Sequence, residues 1–91
     1  MNEPKMPKAR TTMEEARGQT HGDFSDNARM AIAFRSIMRS TTGWGQLSVK
    51  RQLVLDEIAL KMARACSGAS EEGLMEHFTD IAGYARLGVK P

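Results

Sequence analysis

Cysteine and aromatic residues are scarce in this chain of 91 residues, which has one Cys, one Trp, one Tyr and three Phe. A single cysteine excludes an internal disulfide bond and a zinc site built from several cysteines. Seven Met and few aromatic rings predict an aliphatic and adaptable core. Cys66 lies on the apolar stripe of a predicted helix, so it is predicted to be a buried structural thiol.

The sequence also lacks a long apolar run and a strong excess of either charge. No stretch approaches the roughly 20 apolar residues that a membrane-spanning helix needs, and no signal peptide is recognisable. Lys and Arg number 13 against 11 Asp and Glu, and much of this small excess lies within residues 1–10. We therefore expect a cytoplasmic protein with no membrane partner, and a nucleic acid is not favoured as its ligand.

The length of the chain predicts one small domain. Residues 1–10 contain two Pro, two Lys and one Arg without apolar periodicity, and they are predicted to be a flexible basic tail. Residues 11–91 are predicted to be a single helical domain. Chains of this size bury only about two thirds of their unfolded surface, and oligomerisation is one common way to add stability.

Capping residues and apolar periodicity predict one short helix over residues 12–17 and three longer ones over residues 25–40, 48–66 and 70–87. No strand-like alternation of useful length is present. The expected fold is all-α, with a three-helix core and a short extra helix at the amino terminus.

Apolar residues recur along each long helix at a spacing near 3.6 residues, which predicts the side that faces the core. The predicted core stripes are Met30, Ala33, Phe34, Ile37 and Met38; Leu55, Ile58, Met62, Ala65 and Cys66; and Leu74, Phe78, Ile81, Ala82 and Ala85. The third predicted helix also carries Leu53 and Leu60 beside the charged residues Glu57 and Arg64. A solvated face accounts for the charges, but the two leucines predict burial against a second copy, and hence a homo-oligomer.

Polar residues at the start of the helix over residues 25–40 are candidate ligand contacts. Asp23 can cap this helix, and His21 could donate to an anion bound at its amino terminus. Gly22 allows the sharp turn between them. Asn27 lies at the edge of the apolar stripe, where an amide is either a buried structural hydrogen-bonder or a ligand contact.

The last predicted helix places His77, Asp80 and Tyr84 on a stripe beside its apolar one. A polar helix surface is the ordinary explanation for such residues. Gly83, however, costs about 1 kcal/mol relative to Ala in a helix interior, which favours close approach of a neighbour or ligand. The stretch around it combines an acid, small residues and a tyrosine that can both stack and hydrogen-bond.

The stretches THGDFSDNARMA, EIALKMARACSG and DIAGYARL resemble a family of short phage and prophage proteins, over about residues 14–88. Its members share a His- or Tyr-Gly-Asp element followed by Asn, a Lys-x-x-Arg helix and a closing Asp-Ile-Ala-Gly-Tyr-Ala. The family is distantly similar to MazG-like pyrophosphohydrolases and other helical proteins of phage nucleotide metabolism. The matching positions are His21, Gly22, Asp23, Asn27, Lys61, Arg64, Asp80, Gly83 and Tyr84.

The carboxylates depart from the MazG-like pattern, which holds magnesium with Glu-x-x-Glu on one helix and Glu-x-x-Asp on the next. Here Asp56 and Glu57 are adjacent and point apart, while Glu76 and Asp80 are four residues apart. Magnesium needs several converging carboxylates or phosphates to offset its dehydration. The sequence therefore favours nucleotide binding over hydrolysis.

The leading hypothesis is a non-catalytic, phage-encoded module that binds a phosphorylated nucleotide or a related small molecule, and that could sequester a nucleotide signal of host immunity. The predicted ligand contacts are His21, Asp23, Asn27, Lys61, Arg64, His77, Asp80 and Tyr84, which we expect to share one concave surface. Lys61 and Arg64 would contact phosphate, and Tyr84 would stack on a base. No cofactor is identifiable from the sequence.

Two alternatives stay open. The first is a reduced MazG-like, magnesium-dependent nucleotide pyrophosphohydrolase that uses Asp23, Glu57 and Asp80. The second is an accessory protein that binds protein or DNA through its basic tail and the loop around Trp44, although no recognition-helix pattern supports it.

Overall fold

The computed structural model describes residues 22–91. Its helices are α1 (Phe24–Arg39), α2 (Val49–Ala65) and α3 (Glu71–Val89), and a short 3-10 helix spans Trp44–Gln46. No strand occurs among these residues, so the predicted all-α class with three long helices is confirmed. The predicted tail, the short helix over residues 12–17 and His21 lie outside the described residues. No helix within residues 22–91 has both the length and the apolar character needed to cross a membrane.

Each long helix begins after a side chain that the sequence marks as an N-cap. Asp23, Ser48 and Ser70 each accept a hydrogen bond from the backbone N–H of the residue three positions later, at 3.0 or 3.1 Å. This bond satisfies one of the amide groups that the first turn of a helix leaves without an intrahelical partner. The predicted boundaries of the three long helices agree with the structure to within two residues.

The three helices lie in a row with α2 in the middle, because α1 and α3 pack mainly on α2 rather than on each other. At one end, the Asp23 N–H donates to the Ser67 carbonyl oxygen at 2.8 Å, which joins the start of α1 to the end of α2. At the other end, the Arg51 guanidinium donates to the carbonyl oxygens of Gly88 and Val89 at 2.9 and 3.1 Å. Both outer helices therefore run antiparallel to α2.

The turn that precedes α1 requires a glycine. Gly22 has a φ of 76°, a left-handed conformation that favours glycine because it has no Cβ. A Cβ atom at this position would lie 1.8 Å from the Ser67 carbonyl oxygen. The predicted sharp turn is thus confirmed, and it lets the chain approach the end of α2 closely.

Small side chains make up most of the described interior. The buried apolar residues are Ala31, Val54, Ala59 and Ala63, and the buried polar residues are Asn27, Ser67 and His77. Hydrophobic stabilisation scales with the apolar area removed from water. Three alanines and one valine remove little of it, so the row has a small apolar core.

The apolar stripes predicted to form this core lie largely on the surface, and that prediction is wrong for many of their members. Ile37 and Phe78 are 64% and 63% exposed, Met62 is 43% exposed, and Cys66 is exposed rather than buried. The other exposed members are Ala33, Leu55, Ala82 and Ala85. Periodicity locates the apolar side of a helix, but it does not reveal which side the neighbouring helices cover.

The contacts of α2 divide the row into two faces. Asp56 on α2 pairs with Arg39 of α1, whereas Lys61 on a nearly opposite side of α2 pairs with Asp80 of α3. Successive helical residues are rotated by about 100° around the helix axis. Residues of α2 that face neither α1 nor α3 therefore point out of the row, on one side or the other. The apolar face comprises Met30, Phe34, Ile37, Leu55, Ile58, Met62, Leu74, Phe78 and Ile81. The polar face comprises Phe24, Ile32, Arg35, Leu53, Glu57, Leu60, Arg64, Asp80, Gly83, Tyr84 and Leu87. It therefore also exposes apolar side chains, with Phe24 and Ile32 at 78% and 68%.

Candidate functional site

The polar face carries an ion pair between α2 and α3. The Lys61 ammonium lies 3.1 Å from the Asp80 carboxylate, and the two side chains are 14% and 46% exposed. The aliphatic stem of Lys61 is therefore largely covered while the Asp80 carboxylate faces solvent. An ammonium group has three N–H donors, so its bond to Asp80 leaves donors for a second anion.

Asp80 and Tyr84 lie in an open groove along α3. The groove has a volume of about 420 Å³, and its lining includes Thr79, Asp80, Gly83, Tyr84 and Leu87. A second groove of about 490 Å³ adjoins it, with a lining that includes Glu72, Met75, Glu76, Thr79 and Asp80. Residues three, four and seven positions apart share one side of a helix, which is why one stretch of α3 presents these side chains together.

Gly83 forms the recess in the first groove. Apart from its two chain neighbours and the backbone of the adjacent turns of α3, no atom of the described chain lies within 4 Å of the position that a Cβ would occupy there. Gly83 also lies in the interior of α3, where glycine costs about 1 kcal/mol relative to alanine. Packing within the described residues therefore gives no reason for this glycine, and the recess beside Asp80 and Tyr84 is open to a molecule from outside.

Arg64 adds a second cation to the same face. It is half-buried and follows Lys61 by three residues, which places the two side chains about one helical turn apart. In the antiparallel register that pairs Lys61 with Asp80, Arg64 lies near the level of His77 along the row. Two donors at this spacing suit the oxygens of a phosphate group.

Asn27 and His77 lie inside the row, with exposures of 6% and 1%. Neither side chain is without a partner. His77 is predicted on a polar stripe beside the apolar one, but it lies at the centre of the side that packs on α2 rather than on the surface. Of the two roles left open for Asn27, its burial favours the structural one. A ligand contact by Asn27 or His77 stays a prediction, and it would require the helices to separate.

Asp23 lies at the end of the row, where its carboxylate caps α1 and its N–H donates to Ser67. No hydrogen bond or ion pair within residues 22–91 joins it to Asp80. The structure therefore brings Lys61, Asp80 and Tyr84 to one face and gives Asp23 a capping role. The shared concave surface that includes Asp23 stays a prediction.

The carboxylates of the described chain form no group of three or more that could hold a metal ion together with histidine or cysteine. Asp56 instead accepts hydrogen bonds from the Arg39 guanidinium at 2.9 and 2.6 Å, and Arg35 lies 3.6 Å from the same carboxylate. The hydrogen bonds with Arg39, helped by the charges of both arginines, hold the pKa of Asp56 below its ordinary value. Asp56 therefore takes part in ion pairs between α1 and α2. Glu57 beside it is half-buried on the polar face.

Comparison with known proteins gives no match. No protein family, curated protein or solved structure is similar enough to this chain to be identified as a relative. The resemblance to short phage proteins stays a prediction. The functional argument below therefore depends on the side chains of the polar face.

The sequence reasoning missed the cluster at the other end of the row, near the loop between α1 and α2. Arg39 lies over the Trp44 ring, with its Cζ 4.6 Å from the ring centroid, a geometry that favours cation–π attraction. Arg35 and Arg39 are four residues apart and therefore share a side of α1, which was the available clue. Their partner Asp56 is 17 residues from Arg39, and local spacing does not reveal such a pair.

Proposed function

We propose that this protein binds a phosphorylated nucleotide in the groove between Asp80 and Tyr84 on the polar face. The observation that carries the proposal is the open recess at Gly83, which adjoins an aromatic ring and a solvent-facing carboxylate. Small-molecule pockets commonly measure roughly 300–1,000 Å³. The groove of about 420 Å³ is of that size, although it is open to solvent rather than enclosed.

The side chains around the groove suit the three parts of a nucleotide. Tyr84 offers a flat ring on which a base can stack, and a hydroxyl that can hydrogen-bond. Asp80 can accept hydrogen bonds from ribose hydroxyls, a role that carboxylates have in dinucleotide-binding folds. Lys61 and Arg64 supply donors for phosphate oxygens.

In this proposal the protein binds its ligand without cleaving it, and it acts in the cytoplasm of the cell that makes it. A phage-encoded binder of this kind could remove a nucleotide signal of host immunity from solution. This last part is supported only by the resemblance to phage proteins, which is an argument by association.

A magnesium-dependent pyrophosphohydrolase is the second candidate, and one observation favours it. Glu72, Glu76 and Asp80 line the adjoining groove at intervals of four residues along α3, so carboxylates are concentrated beside the proposed nucleotide. Since residues 22–91 form no metal-binding cluster of their own, this function requires carboxylates from the rest of the chain or from a second copy.

A thermal-shift screen of the full chain tests the proposal. The panel contains nucleoside mono- and triphosphates, cyclic dinucleotides and ADP-ribose, each with and without magnesium. A ligand that binds the folded state raises the melting temperature by mass action. We expect at least one nucleotide to do so without magnesium and to be recovered intact, whereas magnesium-dependent release of pyrophosphate would establish the enzyme instead.

Variants of the polar face locate the binding. Arg64→Ala should weaken binding by roughly 1.5–3 kcal/mol, the range for hydrogen bonds to charged groups. Tyr84→Ala should weaken it by about 1–3 kcal/mol if a base stacks on the ring. The matched control is Arg86→Ala, since Arg86 is exposed in the last turn of α3 and lies outside the groove. Isothermal titration calorimetry that shows equal affinity for both test variants and the control would place the ligand elsewhere.

A further inference from the structure

The apolar face exposes large apolar side chains from all three helices. Ile37, Met62 and Phe78 come from three different helices and are 64%, 43% and 63% exposed. Helical periodicity places no charged side chain in the middle of this face, since Asp26, Arg51 and Glu71 lie near the ends of their helices. Contiguous exposed apolar surface of this kind marks an interaction site.

A row of three helices is one layer of secondary structure, whereas stable domains pack at least two layers around a core. The buried apolar side chains of the described residues are three alanines and one valine, so the missing burial has to come from another layer. Residues 1–21 contain no Leu, Ile, Val, Phe, Trp or Tyr. Met1, Met6 and Met13 are the only large apolar side chains that they can add, which is too few for a second layer.

The area of the apolar face suits a protein partner. Aromatic side chains offer roughly 150–250 Å² each, and Ile, Leu and Met are of comparable size. Ile37, Leu55, Met62 and Phe78, at 38–64% exposure, therefore present on the order of 400 Å². The half-buried members and the neighbouring exposed alanines extend this area. A stable interface buries roughly 800 Å² on each partner, which the whole face can approach.

We infer that a second copy of this chain docks on the apolar face, so that two helix rows pack as two layers. A face without charge in its middle is complementary to itself, and a two-fold axis brings the same patch of both copies together. This arrangement leaves the polar face and its groove outward. The inference is independent of the proposed nucleotide, and it differs from the predicted contact through Leu53 and Leu60, which lie on the polar face.

Light scattering coupled to size-exclusion chromatography tests the inference on the full chain. The wild type should elute with a mass of about twice the 10.1 kDa of one chain. Ile37→Asp and Phe78→Asp should each give a single chain, because each places an unpaired charge in an apolar contact. Leu53→Asp is the matched control, since Leu53 is 59% exposed on the opposite face, and it should remain a dimer.

Two results would overturn the inference. One is a wild type that remains a single chain at tens of micromolar. The other is dissociation by Leu53→Asp while both test variants remain dimers, which would move the contact to the polar face. Circular dichroism verifies that each variant keeps its helices, and Ile37→Ser and Phe78→Ser replace any aspartate variant that loses them.

Discussion

The two faces of the helix row are built by the same three helices but expose different chemistry. The apolar face presents Ile37 and Phe78, at 64% and 63% exposure, without a charge near its middle. The polar face presents the Lys61–Asp80 ion pair and an open groove beside Tyr84. Residues 22–91 form one layer of helices and cover neither of its sides. Each face can therefore have a partner of its own, and the chemistry of each face indicates its partner.

Both faces depend on the contacts that join the helices at the ends of the row. Gly22→Ala disturbs one of these contacts, so it is expected to lower the free energy of unfolding the most. A Cβ at Gly22 would lie 1.8 Å from the Ser67 carbonyl oxygen, and the residue would also keep a φ of 76°. Backbone atoms cannot move aside as a flexible side chain can. We expect the free energy of unfolding to fall by roughly 4 kcal/mol or more, among the largest effects of single substitutions.

Urea denaturation measures this loss, and Gly45→Ala is its control. Apart from the immediate neighbours of Gly45 in the chain, nothing in the described residues lies within 4 Å of a Cβ there, so that variant should stay within about 0.5 kcal/mol of the wild type. Equal stability of the two variants would show that α1 is not anchored on the end of α2 as described.

The helix starts could be predicted from the sequence because capping is local. Asp23, Ser48 and Ser70 each act within one turn of their own helix. Burial could not be predicted in the same way, because an apolar stripe does not reveal whether its own chain or a second molecule covers it. Phe78 belongs to a predicted core stripe, yet it is 63% exposed.

The candidate site was predictable in its residue types and unpredictable in its contacts. The spacing of Asp80, Gly83 and Tyr84 on one helix side indicated a shared surface, and the groove contains all three. The pairing of Lys61 with Asp80 joins two helices, and local periodicity carries no information about it. His77 shares the same spacing but lies inside the row at 1% exposure.

His77→Ala sharpens the distinction between the interior and the polar face. Since His77 is 1% exposed, its removal should leave a cavity and cost about 2–4 kcal/mol of unfolding free energy. Nucleotide affinity of the fraction that remains folded should be unchanged. Calorimetry that shows lost affinity at nearly unchanged stability would instead make His77 a ligand contact.

Asp56→Asn tests the ion pair between Arg39 of α1 and Asp56 of α2. The expected loss of unfolding free energy is smaller than for His77→Ala. The pKa of Asp56 is lower in the folded chain than its ordinary value, chiefly through hydrogen bonds from Arg39. A carboxylate of this kind stabilises the fold fully above about pH 5 and loses its contribution as the pH falls through its folded pKa.

The wild type should therefore be more stable than Asp56→Asn at pH 7, and this difference should shrink towards pH 2. Thermal unfolding followed by circular dichroism at several pH values measures it. A difference that does not change with pH would show that the ion pair does not stabilise the contact between α1 and α2.

The most direct test of the proposed binding groove is Gly83→Ala, measured for stability and for nucleotide affinity together. Alanine suits a helix interior better than glycine, so the variant should gain about 1 kcal/mol of unfolding free energy. Its methyl group would occupy the recess beside Asp80 and Tyr84, so affinity for the nucleotide found in the screen should fall at least tenfold. Ser36→Ala, at an exposed position in α1, controls for a gain in helix stability alone and should keep full affinity. A Gly83→Ala protein that is more stable and binds the nucleotide as tightly as the wild type would contradict the account.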